Sequence, residues 1–392
     1  ASFFNNLSNM GLGTAVIQNQ NLTKEDIISI FSLSIFIGIA FSITFFLLAY
    51  PISTFYGRLE LINIIYLLSI AVLFASFQTV PNSLAFKNLL FKRIGIYTIA
   101  IQLFSGLGAI FLAYFEFGYY ALIIKIVLDA FLTFVLYYYI NPIKFTFKIK
   151  LSSINKVIEF SSFQFLFNFI NYFSRNSDNF LIGKFFGASS LGFYDIAYKL
   201  MMMPIQNLTH VITPVVLPVL SKYQNNKEMV YNTYIKLVKV LANVGFPLSL
   251  FLYFSADYIV IILFGNQWYE SIPVFKILSL TVGIQMVLSS TGSIFQVLDK
   301  TRLLFYSGSI GAFVLVSGIL YGIFIGGDLQ SVGIGLLAAF FINFLQAFYF
   351  LIKIAFKYNL FSFYLEFANP IKTSLIVLIS YIITDKYVSF NN

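Results

Sequence analysis

Residues Gln164–Pro204 read QFLFNFINYFSRNSDNFLIGKFFGASSLGFYDIAYKLMMMP. Within them Gln164, Asn168, Asn171, Arg175 and Asp178 follow one another at steps of 4, 3, 4 and 3. At about 100° per residue these side chains fall within roughly 40° either side of one line on a helix, with Phe and Ile on its other faces. Such a stripe cannot face lipid; it must face a partner helix or a watery cavity. Helix–helix hydrogen bonding needs Gln and Asn but not Arg175, because a charge at the bilayer centre costs about 2.5–3.5 kcal/mol on insertion scales.

The composition around this stretch is that of a polytopic membrane protein. Of 392 residues, 59% are hydrophobic and only 10% charged, against about 25% charged in a soluble domain. There is no cysteine and a single histidine, His210, which excludes disulfides, Cys-based metal sites and a His-rich centre. We expect no metal and no cofactor.

A membrane helix needs about 20 apolar residues. Spans are predicted at Ile27–Tyr50, Leu61–Phe86, Ile94–Phe115, Phe117–Ile140, Val157–Ile182, Leu191–Leu220, Val240–Ala256, Ile277–Leu298, Leu303–Gly327 and Leu329–Ile352. A half-polar remnant, Ala1–Ile17 with Asn5, Asn6 and Asn9, precedes them, and a short span, Thr373–Thr384, follows. The chain is expected to be N-terminally incomplete. Tyr258–Tyr269 is too short to cross and is expected at the interface, anchored by Trp268.

The basic residues orient these spans. One alternating set of loops (residues 18–26, 87–93, 141–156, 221–239, 299–302 and 353–372) holds 17 of the 24 Lys and Arg residues and is read as cytoplasmic. The net charge of +9 is thus an orientation signal, and no nucleic-acid partner is expected. A repeat is visible as well. Phe55-Tyr56-Gly57 lies 36 residues before Arg93, and Leu263-Phe264-Gly265 lies 37 before Arg302. The fold expected is therefore an all-α polytopic membrane protein of two pseudo-symmetric helical bundles around a central cavity. Residues 1–140 form the first lobe, 141–156 a cytoplasmic linker, 157–356 the second lobe, and 357–392 an additional helical region.

Further polar groups lie at depth. Asp195, Lys199, Gln206, His210 and Thr213 fall within roughly 60° of one line, on a helix that Pro204, Pro214 and Pro218 should bend or loosen. Asp195 with Lys199, and Lys125 with Asp129, are spaced i, i+4 and can neutralise each other or line a cavity. Thr281, Gln285, Gly292 and Gln296 form a weaker stripe, read as helix packing. No phosphate-binding glycine loop or Ser/His/Asp set is present. The extracytoplasmic carboxylates Glu60, Glu116, Asp257, Glu270, Asp328 and Asp385 are scattered singly. A carrier, not an enzyme, is the expected class.

The central stretch resembles a hallmark of bacterial polysaccharide flippases of the multidrug/oligosaccharidyl-lipid/polysaccharide exporter superfamily. The residues are Asp178-Asn179-Phe180-Leu181-Ile182-Gly183, Phe186-Gly187-Ala188, Leu191-Gly192-Phe193-Tyr194, Ala197-Tyr198 and Pro204. Gly11–Gln18 resembles the end of that family's second helix, Asn141-Pro142 with Phe145 its linker, and Leu263-Phe264-Gly265 with Trp268 another recurring piece. Family members usually carry Asp where Asn9 stands, and have a first and a complete second helix.

The resemblance implies twelve to fourteen helices in a multi-pass protein of the bacterial cytoplasmic membrane. It implies flipping of an undecaprenyl-diphosphate-linked oligosaccharide from the cytoplasmic to the outer leaflet by alternating access, for O-antigen or exopolysaccharide export. Membrane lipid and polysaccharide polymerase or chain-length machinery are the implied partners. Arg175, Lys199 and Lys125 would meet the diphosphate, and Gln164, Asn168 and Asn171 the sugar hydroxyls. Asp178, Asp195 and Asp129 would serve ion coupling or charge pairing. A cation-coupled multidrug antiporter, a membrane-embedded polymerase or ligase, and a purely structural membrane partner are the alternatives.

Overall fold

The computed structural model describes residues 11–390, which are helices, turns and extended linkers without a strand. Among these residues eight helices are long and apolar enough to cross a membrane, and a pair bent by 48°, Ser271–Ser279 with Val282–Val297, makes a ninth. One of the eight is a 63-residue element, Ile158–Leu220, interrupted at Gly187. Divided there, it brings the crossings to ten, as the spacing of apolar stretches predicts. The protein is a multi-pass membrane protein. The chain falls into two compact units, Ala1–Phe169 and Ile170–Asn392. Asn5, Asn6 and Asn9 lie outside the described residues.

In the first unit α1 (Leu12–Gln18) is followed by α2 (Lys24–Leu47), α3 (Ala49–Tyr56), α4 (Leu61–Lys87), α5 (Phe91–Tyr114) and α6 (Tyr120–Ile140). Helix α2 starts where Thr23 and Asp26 cap it reciprocally: the Thr23 hydroxyl accepts from the Asp26 N–H, and the Asp26 carboxylate accepts from the Thr23 N–H at 2.9 Å. Small residues set the packing on α4. A Cβ at Gly38 would meet Ser76 at 2.4 Å, and one at Gly13 would meet Ser83 at 2.6 Å, so both helices approach closely. The Lys87 ammonium, at the end of α4, donates to the Val16 and Asn19 carbonyls at 2.9 and 2.6 Å. It thereby closes the C-terminus of α1, where orphan carbonyls call for a cation.

Residues 141–150 are a strap laid on α2, with a short helix, α7 (Leu151–Asn155), at its end. The Thr146 N–H donates to the Ser32 hydroxyl at 3.0 Å. Lys150 pairs with Glu25, and Lys156 with the buried Asp26 at 2.7 Å. The Glu25 carboxylate raises the Lys150 pKa above its ordinary value, by hydrogen bonding first and charge second. Ile143, Val157 and Phe160 complete an apolar core with Leu12, Val16, Phe31 and Val80.

Element α8 (Ile158–Leu220) leads into the second unit, followed by α9 (Lys227–Phe254), α10 (Ala256–Phe264), α11 (Ser271–Ser279), α12 (Val282–Leu288) and α13 (Thr291–Val297). Then come α14 (Thr301–Tyr321), a π-helical turn, α15 (Leu329–Phe348), a second π-helical segment, α16 (Leu360–Leu365) and α17 (Ala368–Phe390). Residues 227–239, read as loop, are instead the first turns of α9. Asn226 caps that helix by accepting from the Met229 N–H at 3.0 Å, and a capped polar segment can extend an apolar helix beyond its span.

The repeat recurs in the backbone. A long helix, a break, a short helix and a positive-φ glycine occur as α2, α3 and Gly57, and again as α9, α10 and Gly265. Left-handed residues follow at Leu89 and Asp299, each after a helix closed by the same pair of turn bonds: Leu90 to Ala85 and Leu89 to Phe86, Lys300 to Phe295 and Asp299 to Gln296. Left-handed Glu116 and Gly327 come next. The three offsets are 208, 210 and 211 residues.

Helices α14 and α15 meet backbone to backbone. A Cβ on Gly335 would lie 2.1 Å from the Gly318 carbonyl oxygen, and one on Gly318 2.5 Å from that of Gly335. No flexible side chain is there to yield. Gly335→Val is therefore expected to destabilise the protein by about 3 kcal/mol or more, at the upper end of overpacking costs. Thermal unfolding in detergent checks this, and an unchanged midpoint would contradict the close approach.

Candidate functional site

The first limb of α8, residues 158–186, carries the predicted stripe. Its N-terminal part belongs to the first unit. There Gln164 is 3% exposed and lies against the turn that starts α1: a Cβ at Gly11 would meet Gln164 Cβ at 2.8 Å and the Ser161 carbonyl at 2.9 Å. Gly11 is also left-handed, at φ 67°, so two requirements make that position glycine. The Gln164 amide N–H donates to Asn168 Oδ1 at 3.0 Å. The i, i+4 step of the sequence thus appears as a hydrogen-bonded amide pair.

In the second unit the same limb places Asn171 half-buried, Arg175 exposed and Asp178 only 4% exposed. Arg175 has no ion pair within 4 Å among the described residues, although its charge bears on Asp178 and Tyr198. Asp178 accepts from the Asn179 N–H at 2.8 Å and from the Tyr194 hydroxyl at 2.7 Å. Sixteen residues of unbroken helix would separate Asp178 and Tyr194 by about 24 Å. The bond requires the chain to turn back between them, and Gly187, at φ 84° and ψ 177°, is the non-helical residue where it does. The hallmark residues therefore do structural work in this chain. Gly187 makes the break, Asp178 and fully buried Tyr194 tie the limbs, and Tyr198 packs on Tyr194 with ring centres 5.7 Å apart.

Both predicted i, i+4 ion pairs form. Asp195 pairs with Lys199 at 2.5 Å, with side chains well exposed. Lys125 pairs with Asp129 at 2.7 Å at half-buried positions, and also donates to Gln102 at 3.2 Å. The Asp129 carboxylate additionally accepts from the Ser105 hydroxyl on α5. Lys125 and Lys199 thus each carry a counter-ion, whereas Arg175 has none within 4 Å among the described residues. Gln206 is exposed; the side chains of His210 and Thr213 lie outside the described residues.

The backbone stays helical through Pro204, Pro214 and Pro218, and Gly187 is the residue of this element that leaves helical geometry. Trp268 also packs on the protein. Its ring stands edge-on to Phe193 at 5.8 Å and lies 3.6 Å from where a Cβ on Gly192 would be, so it packs on the second limb of α8. Finally, α17 is a helix of 23 residues, longer than the short span predicted, and Tyr381 on it stacks on Phe254 at 4.1 Å. The Thr281 and Gln285 stripe does serve packing: both side chains are buried and donate to Met201 Sδ at 3.3 and 3.2 Å.

Comparison with known proteins adds the following. A family model described as "Polysaccharide biosynthesis protein" matches residues 1–273. The teichuronic acid biosynthesis protein TuaB of Bacillus subtilis (strain 168) is 26% identical over 312 residues, which are 76% of this chain; the match spans 62% of TuaB. Among solved structures, a point mutant of the Vibrio cholerae MATE transporter VcmN superposes with a TM-score of 0.73 at 13% identity, covering 96% of this chain and 88% of VcmN. The lipid II flippase MurJ, in an inward closed conformation, superposes with a TM-score of 0.61 at 14% identity, covering 99% and 91%. At these identities the two structures establish the fold, that of MATE and MurJ transporters.

Proposed function

Because the chain belongs to the polysaccharide biosynthesis protein family, we propose that it is a carrier that flips an undecaprenyl-diphosphate-linked oligosaccharide across the bacterial cytoplasmic membrane, from the cytoplasmic to the outer leaflet, by alternating access. The family match over 273 residues carries this reading, and the polar residues at membrane depth are consistent with it. The exposed guanidinium of Arg175, without an ion pair among the described residues, suits a diphosphate, which planar bidentate donors recognise best. Gln164, Asn168 and Asn171 offer neutral amides to sugar hydroxyls. Lys125 and Lys199 would join only by loosening their pairs with Asp129 and Asp195. Asp178, held by Tyr194, acts as a positioning residue for the limb that carries Arg175.

The carrier performs no covalent chemistry on this reading, and its partners are the lipid-linked oligosaccharide, bulk lipid and polymerase or chain-length machinery at the outer face. The MATE fold alone would equally suit a drug antiporter. Deletion of the gene separates the two. Loss of surface polymer with unchanged drug susceptibility is the expected result, and heightened drug susceptibility with normal polymer would overturn the proposal.

A further inference from the structure

Residues 141–156 carry four lysines and no acidic residue. Two of the four are neutralised within the protein, Lys150 by Glu25 and Lys156 by Asp26. Lys144 and Lys148 are not. Both are exposed, and their ammonium groups have neither an ion pair nor a hydrogen-bond acceptor among the described residues. Interleaved with them stand Phe145, 42% exposed, and Phe147, 81% exposed. Phenyl rings held open on a polar linker are costly in water. These two are nonetheless ordered against the protein. They meet each other edge-on with ring centres 4.9 Å apart, and both pack on Phe36 of α2, at 5.8 and 6.3 Å.

The contacts of the strap set its depth. It leaves from the ends of two crossings: the Asn141 amide donates to the Pro81 carbonyl of α4 at 3.2 Å, and the Tyr138 hydroxyl of α6 donates to the Ile143 carbonyl at 3.2 Å. Phe145 and Phe147 then lie beside Phe36, Thr146 bonds to Ser32, and Lys150 reaches Ser29 and Glu25. From Phe36 to Glu25 the helix covers about 17 Å, and the extended residues from Phe145 to Lys150 cover about 17 Å as well. The strap therefore runs along α2, with its aromatic end toward the apolar span and its Lys150 end at the acidic first turn. Rings at the edge of the hydrocarbon with lysines beside them match the two halves of a lipid interface. An inorganic anion would serve the lysines and leave the rings in water. A zwitterionic lipid would cover the rings and bring no net charge to the lysines. An anionic lipid does both.

We propose that residues 144–148 form a binding site for an anionic phospholipid of the adjoining leaflet, with Lys144 and Lys148 on its phosphate and Phe145 and Phe147 against its acyl chains. This lipid is a resident partner of the strap and not the transported molecule, so the inference stands apart from the carrier reading. Lysines beside a membrane gain affinity for anionic lipid one by one and lose it as salt rises. The site is therefore expected to be selective for headgroup charge and to weaken with ionic strength.

The test titrates the full chain in detergent with phosphatidylglycerol, phosphatidylcholine and inorganic phosphate, and reads bound lipid by native mass spectrometry. Phosphatidylglycerol is expected to bind about tenfold more tightly than phosphatidylcholine, and inorganic phosphate is expected not to displace it. Lys144→Gln/Lys148→Gln should remove this preference, and Lys144→Arg/Lys148→Arg should keep it. Phe147→Ser should weaken both lipids alike. Lys222→Gln/Lys372→Gln, which alters two exposed lysines outside the strap, should leave the preference as it is. The single changes Lys144→Gln and Lys148→Gln, each expected to cost about threefold, give the same readout if the double variant does not fold. Equal binding of the two lipids by the unaltered protein would overturn the proposal, as would a preference that survives the strap changes or falls equally with Lys222→Gln/Lys372→Gln. Displacement of the lipid by inorganic phosphate would overturn it too, since the site would then be one for a soluble anion.

Discussion

Replacing Arg175 by alanine is expected to abolish polymer export, by tenfold or more, while leaving the protein in the membrane at normal levels. The two halves of this expectation come from one observation. A charge at membrane depth costs about 2.5–3.5 kcal/mol on insertion scales, and Arg175 recovers none of this through an ion pair within 4 Å among the described residues. Its nearest acidic neighbour in the stripe, Asp178, already accepts from Tyr194 and from a backbone N–H. Removing the guanidinium should thus leave stability level or improve it. On the proposed reading the guanidinium therefore serves the ligand rather than the fold. Arg175→Lys should retain part of the activity, because an ammonium keeps the charge but loses the bidentate geometry. Export assays together with quantitative immunoblots of the membrane fraction check both halves; normal polymer from Arg175→Ala at normal expression would remove Arg175 from the site.

Tyr194→Phe has the opposite character: stability is the first thing lost. The Tyr194 ring is fully buried and its hydroxyl reaches back sixteen residues to a carboxyl that is 4% exposed. The phenylalanine ring fills the same space, so the substitution deletes one donor and leaves the Asp178 oxygen unsatisfied, at a cost of about 1–3 kcal/mol. The thermal midpoint in detergent should fall by several degrees. Asp178→Ala should cost a similar amount, and the double variant clearly less than the sum of the two, since each single change breaks the same bond. Independent, additive effects would show that the limbs of α8 are not tied there.

What is legible in the sequence follows from the range over which each signal acts. The ten crossings are readable because lipid imposes a run of about 20 apolar residues on each. The i, i+4 pairs Lys125–Asp129 and Asp195–Lys199 are readable because helical neighbours are fixed by spacing alone. The Asp178–Tyr194 bond is not, since a helical wheel ends at the break and says nothing about which residue returns. Gly187 is visible as a glycine, but so are Gly183 and Gly192, and only the backbone shows which one leaves the helix. The repeat is half visible. Its glycine corners Gly57 and Gly265 show as matching tripeptides, whereas Leu89 and Asp299 adopt the same left-handed turn without a common residue type. Residues 227–239 read as a loop because their lysines obscure a helix that Asn226 caps.

On the proposed reading the protein moves a lipid-linked oligosaccharide from one leaflet to the other. The most direct measurement is the leaflet in which that lipid resides when the gene is deleted, read by accessibility of its sugars to a membrane-impermeant probe in oriented vesicles. The repeat unit is expected to accumulate on undecaprenyl diphosphate and to be reached only from the cytoplasmic face, and the intact gene is expected to restore access from the outer face while Arg175→Ala does not. Repeat units reached from the outer face in the deletion strain, at the level of the parent, would contradict it.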